Sequence, residues 1–321
     1  MDTKAINKKI REAIYSANTV LLISHQNPDG DALGCLTAFS QYLDNIKKNH
    51  EVFCMKLPKN SYRFLLNIEK VKSFDHELSR NFDLIITFDS SSLQYAGAHK
   101  LVESLKGNHT LINIDHHHTN ELFGHINLVK PSAASTTEIV HRYFLDLEIR
   151  LSKNIAISLM TGILGDTDSF SNHNTTPNTL HCAASLLSAG APIEKIVKET
   201  YRNKSVQILK HWGKAFERLT VNEKFKIGYT VLTEDELKSF ENEQEATEGL
   251  ANYLNNLSGV NLILVLKEIG DGTIKGSFRT GNDDIDVSAL AKLFGGGGHK
   301  KAAGFTLKGK LVKIDTGWKI V

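Results

Sequence analysis

Along the first half of the chain, short apolar runs alternate with longer stretches in which apolar residues recur at helical spacing. Val20 to Ser24, Glu51 to Met55, Leu84 to Phe88 and Leu111 to Ile114 are rich in Val, Ile, Leu and Phe and too short for helices, which predicts strands. Leu33 to Ile46, Leu93 to Leu105, Thr136 to Leu145 and Asn154 to Leu164 carry the helical pattern. The third opens on Ser135-Thr136-Thr137-Glu138, whose spacing fits a capping box. Strands that alternate with helices predict an α/β fold, with a mainly parallel sheet flanked by helices.

From Ala183 to Leu219 the chain stays helix-like and lightly charged, with a break at Gly190-Ala191-Pro192. This places a first domain at residues 1–190, a helical linker at 191–220 and a second, smaller α/β domain with a mixed sheet at 221–321. The second domain reads as a strand (Lys226 to Leu232), an acidic helix (Glu245 to Leu257) and a hairpin from Val260 to Thr280 turning at Gly270-Asp271-Gly272. A short helix, Val287 to Phe294, then enters Gly295-Gly296-Gly297-Gly298-His299, and one or two strands close the chain.

With 321 residues, 41% hydrophobic and 23% charged, the chain can bury a sizeable core. Its 38 basic and 36 acidic residues leave a formal charge of +2, far from the balance of a protein that coats long nucleic acid. A nucleotide partner is therefore expected to be small and locally bound. The N-terminal segment is charged throughout, which predicts no membrane span and a cytoplasmic location. Three scattered cysteines, Cys35, Cys54 and Cys182, suggest neither a disulfide framework nor a zinc knuckle.

Chemistry enters where the apolar runs stop. The first run leads into His25-Gln26-Asn27-Pro28-Asp29-Gly30-Asp31, the third into Asp89, and the fourth into Asp115-His116-His117-His118, while Asp166 and Asp168 follow the last helix of the half. Parallel sheets place ligands at strand C-termini. Carboxylates with a minority of imidazoles suit manganese, magnesium or similar ions, and two ions close together need a bridging carboxylate, for which Asp89 is the natural candidate. Such a pair activates water and neutralises phosphoryl oxygens, so phosphoester hydrolysis needs no protein nucleophile. Singly, an Asp-Gly-Asp triplet is a turn or helix cap; four clusters at successive element ends are hard to obtain as turns. Asp115 could instead orient a histidine from behind, and His118 and Asp168 could face solvent. The glycine run could end a helix, or let backbone N–H groups approach an anion beside His299.

These residues resemble the successive motifs of the DHH phosphoesterases: His25-x-x-Pro28-Asp29-Gly30-Asp31, Asp89, Asp115-His116-His117 with Asn120, and Asp166-Thr167. Ser277-Phe278-Arg279 and Gly295 to Gly304 resemble the DHH-associated C-terminal domain found in NrnA-like oligoribonucleases. The resemblance implies one metal on His25, Asp29 and Asp89 and another on Asp31, Asp89, His116 and Asp166, with manganese favoured over magnesium or cobalt. It assigns His117 and Asp89 to catalysis, with His117 facing the scissile phosphate and Asp115 behind it. Asn120, Ser277, Arg279, Gly296, Gly297, Gly298 and His299 would hold substrate, with catalysis in a cleft between domains. Two departures stand out: Asp168 where glycine is common, and Tyr95 near a position where arginine is common.

The resemblance implies hydrolysis of very short RNAs to mononucleotides and removal of the 3′-phosphate from 3′-phosphoadenosine 5′-phosphate (pAp). The rival enzyme is a phosphodiesterase dedicated to signalling dinucleotides; the rival from another class is a nucleotide-binding sensor without turnover, against which the full ligand set speaks. Tyr62 and Phe278 are candidates for base stacking, although core packing is the commoner role. The oligomeric state is open, a homodimer included.

Overall fold

The computed structural model describes residues 2–73, 77–79, 81–105, 108–238, 247, 249–314 and 317–321, and for His299 the main chain alone. The chain divides into two compact units, Met1–Asn203 and Lys204–Val321. The division falls inside the 191–220 segment expected to connect two domains.

Six strands of the first unit form one sheet: β1 (Thr19–Ser24), β2 (Asn49–Phe53), β3 (Val71–Lys72), β4 (Leu84–Phe88), β5 (Thr110–Asp115) and β6 (Ile126–Val129). All pairings are parallel, in the order β3-β2-β1-β4-β5-β6, so the α/β expectation is borne out. The two central strands are buried almost end to end because both faces are covered. One face carries α1 (Thr3–Ser16), α2 (Gly30–Asn45), α5 (Thr136–Asp146), α6 (Lys153–Asp166), α7 (Pro177–Ser188) and α8 (Ile193–Thr200), packed around Leu22, Leu36, Phe39, Ile86 and Tyr143. The other carries α3 (Leu93–Ala96) and α4 (His99–Ser104), packed on Leu21, Ile23 and Ile85. The strand order reverses between β1 and β4, and such switch points open a crevice at the strand C-termini.

The expected helix Leu93 to Leu105 is broken into α3 and α4 at Gly97, whose φ of +68° closes the turn against Met55. The expected strand Glu51 to Met55 sits two residues earlier, at Asn49–Phe53. The edge strands β3 and β6 were not expected, because an edge strand is half solvated and shows little apolar run.

The second unit starts with α9 (Val206–Glu217) and builds a mixed sheet from β7 (Thr220–Asn222), β8 (Ile227–Leu232), β9 (Leu262–Glu268), β10 (Thr273–Arg279), β11 (Gly297–His299) and β12 (Ala302–Lys308). The order is β11-β12-β10-β9-β8-β7, with only β8 and β9 parallel. Short helices α10 (Glu234–Leu237), α11 (Leu250–Leu254) and α12 (Val287–Leu293) complete it. Of the expected acidic helix Glu245 to Leu257, Leu250–Leu254 forms α11, while 245, 246 and 248 lie outside the described residues. Three strands follow the glycine run rather than one or two, the last pair being the separate hairpin β13 (Leu311–Ile314) and β14 (Gly317–Ile320).

Candidate metal centre

His25 leaves the end of β1 and Asp89 the end of β4, one on each side of the reversal point. The Asp89 main chain is left-handed, φ +54°, a conformation that non-glycine residues adopt at a cost and that clusters at functional sites. Its carboxylate is buried and lies at the middle of the cluster: Oδ2 is 3.4 Å from His25 Nε2, and Oδ1 is 3.6 Å from both His116 Nε2 and His117 Nδ1. Thr136 Oγ1 donates to Oδ1 at 3.0 Å and helps to fix the carboxylate.

Asp29 caps α2, its Oδ1 accepting from the Asp31 and Ala32 N–H groups at 3.0 and 3.1 Å, and the same oxygen lies 3.7 Å from His25 Nε2. Asp31, in the first turn of α2, is buried against the start of α5. It accepts from Thr136 N at 2.6 Å, Thr137 N at 2.8 Å and Thr137 Oγ1 at 2.6 Å, so the positive end of α5 holds this carboxylate in place. Asp166 is the last residue of α6 rather than a residue beyond it, and its Oδ2 stands 3.3 Å from His116 Nε2. α2 and α6 approach closely enough for this through two glycines. A Cβ on Gly34 would meet Ser158 O at 2.5 Å, and one on Gly162 would meet Asp31 Oδ1 at 2.5 Å.

His117 is oriented from behind: its Nδ1 donates to buried Asp115 Oδ1 at 2.7 Å. Asn120 Nδ2 donates to Asp115 Oδ2 at 2.6 Å and Asn113 Oδ1 at 2.8 Å, so Asn120 braces this pair from within the network. The sequence pattern marks Thr136 and Thr137 only as part of a helix cap and Asn113 only as a strand residue, yet all three support the site. Their signal was a cluster of buried polar side chains beside an acidic motif. Ser135 does cap α5 by accepting from Glu138 N at 3.1 Å, but Glu138 reaches back to Ala134 N, so the reciprocal half of the expected capping box is displaced by one residue.

Three ligand groups converge: His25, Asp29 and Asp89; Asp31, His116 and Asp166; and Asp89, His116 and His117, the candidate atoms within each lying within 4.8 Å of one another. Burial opposes charging His25, yet the Asp29 and Asp89 carboxylates raise it to about 10. Burial and the neighbouring Asp89 charge raise Asp31 to about 7, and burial with Asp31, Asp29 and Asp89 holds Asp166 well above the usual carboxylate range. Four crowded carboxylates, of which Asp31 and Asp89 are buried, fit divalent cations, whose charge the protein does not itself supply. The donor set, mostly hard oxygen with two imidazoles, suits manganese or magnesium chemistry.

In the second unit, Ser277 and Arg279 lie on the same face of β10, and the register aligns Ser277, Gly304 and Gly297 in one row and Arg279, Ala302 and His299 in the next. The sheet thus brings the expected serine, arginine and glycine run to neighbouring positions. Gly297 to His299 form strand β11 instead of a free loop. Gly296 and Gly298 pack against the main chain of β12, and Gly298 also has φ +141°. The Arg279 guanidinium is anchored by Nε donating to Asn252 Oδ1 at 2.6 Å and Nη1 to Phe278 O at 2.8 Å. Tyr62 and Phe278 are both 6% exposed and belong to cores, which removes them as stacking candidates.

The DHH family, N-terminal domain, matches residues 19–163, and the DHHA1 domain matches 226–315. The bifunctional oligoribonuclease and PAP phosphatase NrnA of Thermus thermophilus is 30% identical over 292 residues, covering 90% of this chain and 84% of that protein. The chain belongs to the DHH family. Another relative, the bifunctional oligoribonuclease and PAP phosphatase NrnA of Bacillus subtilis, is 26% identical over 293 residues, covering 90% of each chain. Among solved structures, an exopolyphosphatase-related protein from Bacteroides fragilis has the same fold as this DHH protein, with a TM-score of 0.87 at 24% identity over 94% of this chain and 91% of that one. Among the described residues, no helix is long and apolar enough to cross a membrane.

Proposed function

We propose that this DHH protein is a metal-dependent phosphoesterase that hydrolyses short oligoribonucleotides to mononucleotides and removes the 3′-phosphate of pAp. The observation that carries the reading is the convergence of His25, His116 and His117 on the single buried carboxylate of Asp89, flanked by Asp29, Asp31 and Asp166. His25, Asp29 and Asp89 would hold one cation and Asp31, His116 and Asp166, together with Asp89, the other, with manganese the favoured ion. When bound, the ions supply Lewis acidity to phosphoryl oxygens and lower the pKa of a water.

The chain's own residues do the positioning. Asp115 holds the Nδ1 proton of His117 and thereby presents Nε2 as the nitrogen that meets the phosphate. Asn120 keeps Asp115 from turning. In the second unit, Arg279, Ser277 and the N–H groups around Gly296 to Gly298 and His299 are the groups suited to bind a nucleotide; Asn252 and Phe278 O hold two of the Arg279 N–H groups and leave the others for an acceptor. The relatives named above support the substrate class, since both bear names for oligoribonuclease and PAP phosphatase activity.

The test is a manganese-dependent panel of RNAs from dinucleotides to about two dozen nucleotides, with pAp and cyclic dinucleotides alongside. Efficient turnover of the shortest RNAs irrespective of sequence, together with pAp, is expected. Turnover confined to one signalling dinucleotide would instead favour the dedicated phosphodiesterase, and binding without turnover the sensor.

A further inference from the structure

At the rim of the metal centre stands an aromatic ring that the ligand set does not use. The ring of Tyr95, on α3, has its centroid 5.5 Å from the His25 imidazole and 6.0 Å from that of His117, tilted by 34° and 60°. It therefore borders both a residue of one ligand group and the histidine held by Asp115. Nearby aromatic rings such as Tyr62 and Phe88 are absorbed into the core, whereas Tyr95 is 42% exposed. Its main chain is tied at both ends: N–H donates to Ser92 Oγ at 3.1 Å, and the carbonyl accepts from Gln26 N at 3.4 Å, next to His25. The turn after it closes through Gly97 onto Met55, itself 47% exposed.

A ring fixed in place, partly open to solvent and beside two imidazoles of the metal centre offers a flat apolar face next to a cluster of charged groups. The chemical class that needs both a cation-rich phosphate site and a flat apolar face one side chain away is a nucleotide. We infer that Tyr95 forms a nucleobase-stacking subsite for the nucleotide whose phosphate occupies the metal centre. The inference rests on the phosphoesterase reading of that centre and adds to it where the base is held.

Calorimetric titration of the manganese-loaded full chain with AMP and with ribose 5-phosphate, which lacks the base, tests it without requiring turnover. Stacking on one aromatic ring is expected to make AMP bind about tenfold more tightly than ribose 5-phosphate. Tyr95→Phe should keep that preference, and Tyr95→Ala should abolish it while retaining the full manganese content. An AMP preference that survives Tyr95→Ala, or that is missing from the unmodified protein, overturns the subsite. So does loss of manganese in Tyr95→Ala, which would make the ring a support for His25. Hydrolysis of a diadenylate by the same preparations separates the two levels. Turnover with an unchanged AMP preference in Tyr95→Ala defeats the subsite alone; a Tyr95-dependent preference without turnover in the unmodified protein defeats the proposed function alone.

Discussion

Protonation inside the cluster sets how metal binding depends on pH. In the metal-free protein His25 holds its proton up to about 10 and Asp31 up to about 7, both above their ordinary values. A cation must displace these protons, so apparent manganese affinity is expected to rise from pH 6 to pH 9, with protons released in calorimetry run in buffers of different ionisation enthalpy. A pH-independent affinity would show that His25 is not a ligand. The same shifts act on stability: a histidine raised in the folded state stabilises below its unfolded value near 6.5, and that contribution is lost as pH climbs towards 10. Thermal melts of metal-free protein should therefore fall over this window, and manganese should reverse the fall. His117 is raised to about 9 against the effect of its burial, by the hydrogen bond to Asp115 and by the Asp89 charge. Asp115→Asn should lower the His117 titration followed by NMR, and should reduce kcat more than manganese affinity, because Asp115 orients His117 rather than a cation.

Elements carry the next layer, since helix ends and helix contacts hold the ligands. Asp29 is both cap of α2 and candidate ligand. Asp29→Ser keeps a capping oxygen and removes the carboxylate, so it should weaken manganese binding with little loss of stability, whereas Asp29→Ala should also cost about 1 kcal/mol in urea unfolding. Equal stability of the two variants would remove the capping role. Gly162 lies inside α6, where alanine ordinarily favours a helix. Here the added methyl would press on Thr137 and on Asp31 Oδ1, so Gly162→Ala is expected to destabilise by about 1–3 kcal/mol and to weaken metal binding. A neutral or stabilising effect on both measurements would show that α2 and α6 can separate without disturbing Asp31.

At the level of the whole molecule, much of the first unit could be read from the chain because each chemical cluster directly follows an apolar strand. Val20 to Ser24 runs into His25, Leu84 to Phe88 into Asp89, and the strand ending at Asp115 into His116 and His117. What the sequence concealed depends on contacts made only after folding. Thr136 and Thr137 hold Asp31 and Asp89 across long sequence separations, and no local pattern encodes that pairing. The edge strands β3 and β6 are only two and four residues long, too short to announce themselves as apolar runs. The break at Gly97 looked like one more residue of a helix until Met55 was found against it. In the second unit the glycine run looked like a loop, because β11 exists only through its pairing with β12.

Anomalous diffraction from crystals grown with manganese would locate the ions themselves. Two peaks about 3.5–4 Å apart are expected, both beside Asp89, one also touching His25 and Asp29 and the other Asp31, His116 and Asp166. In Asp89→Ala crystals the pair should be lost, together with hydrolysis of short RNA in solution. A single peak away from Asp89, or full activity in Asp89→Ala, would contradict the two-metal centre.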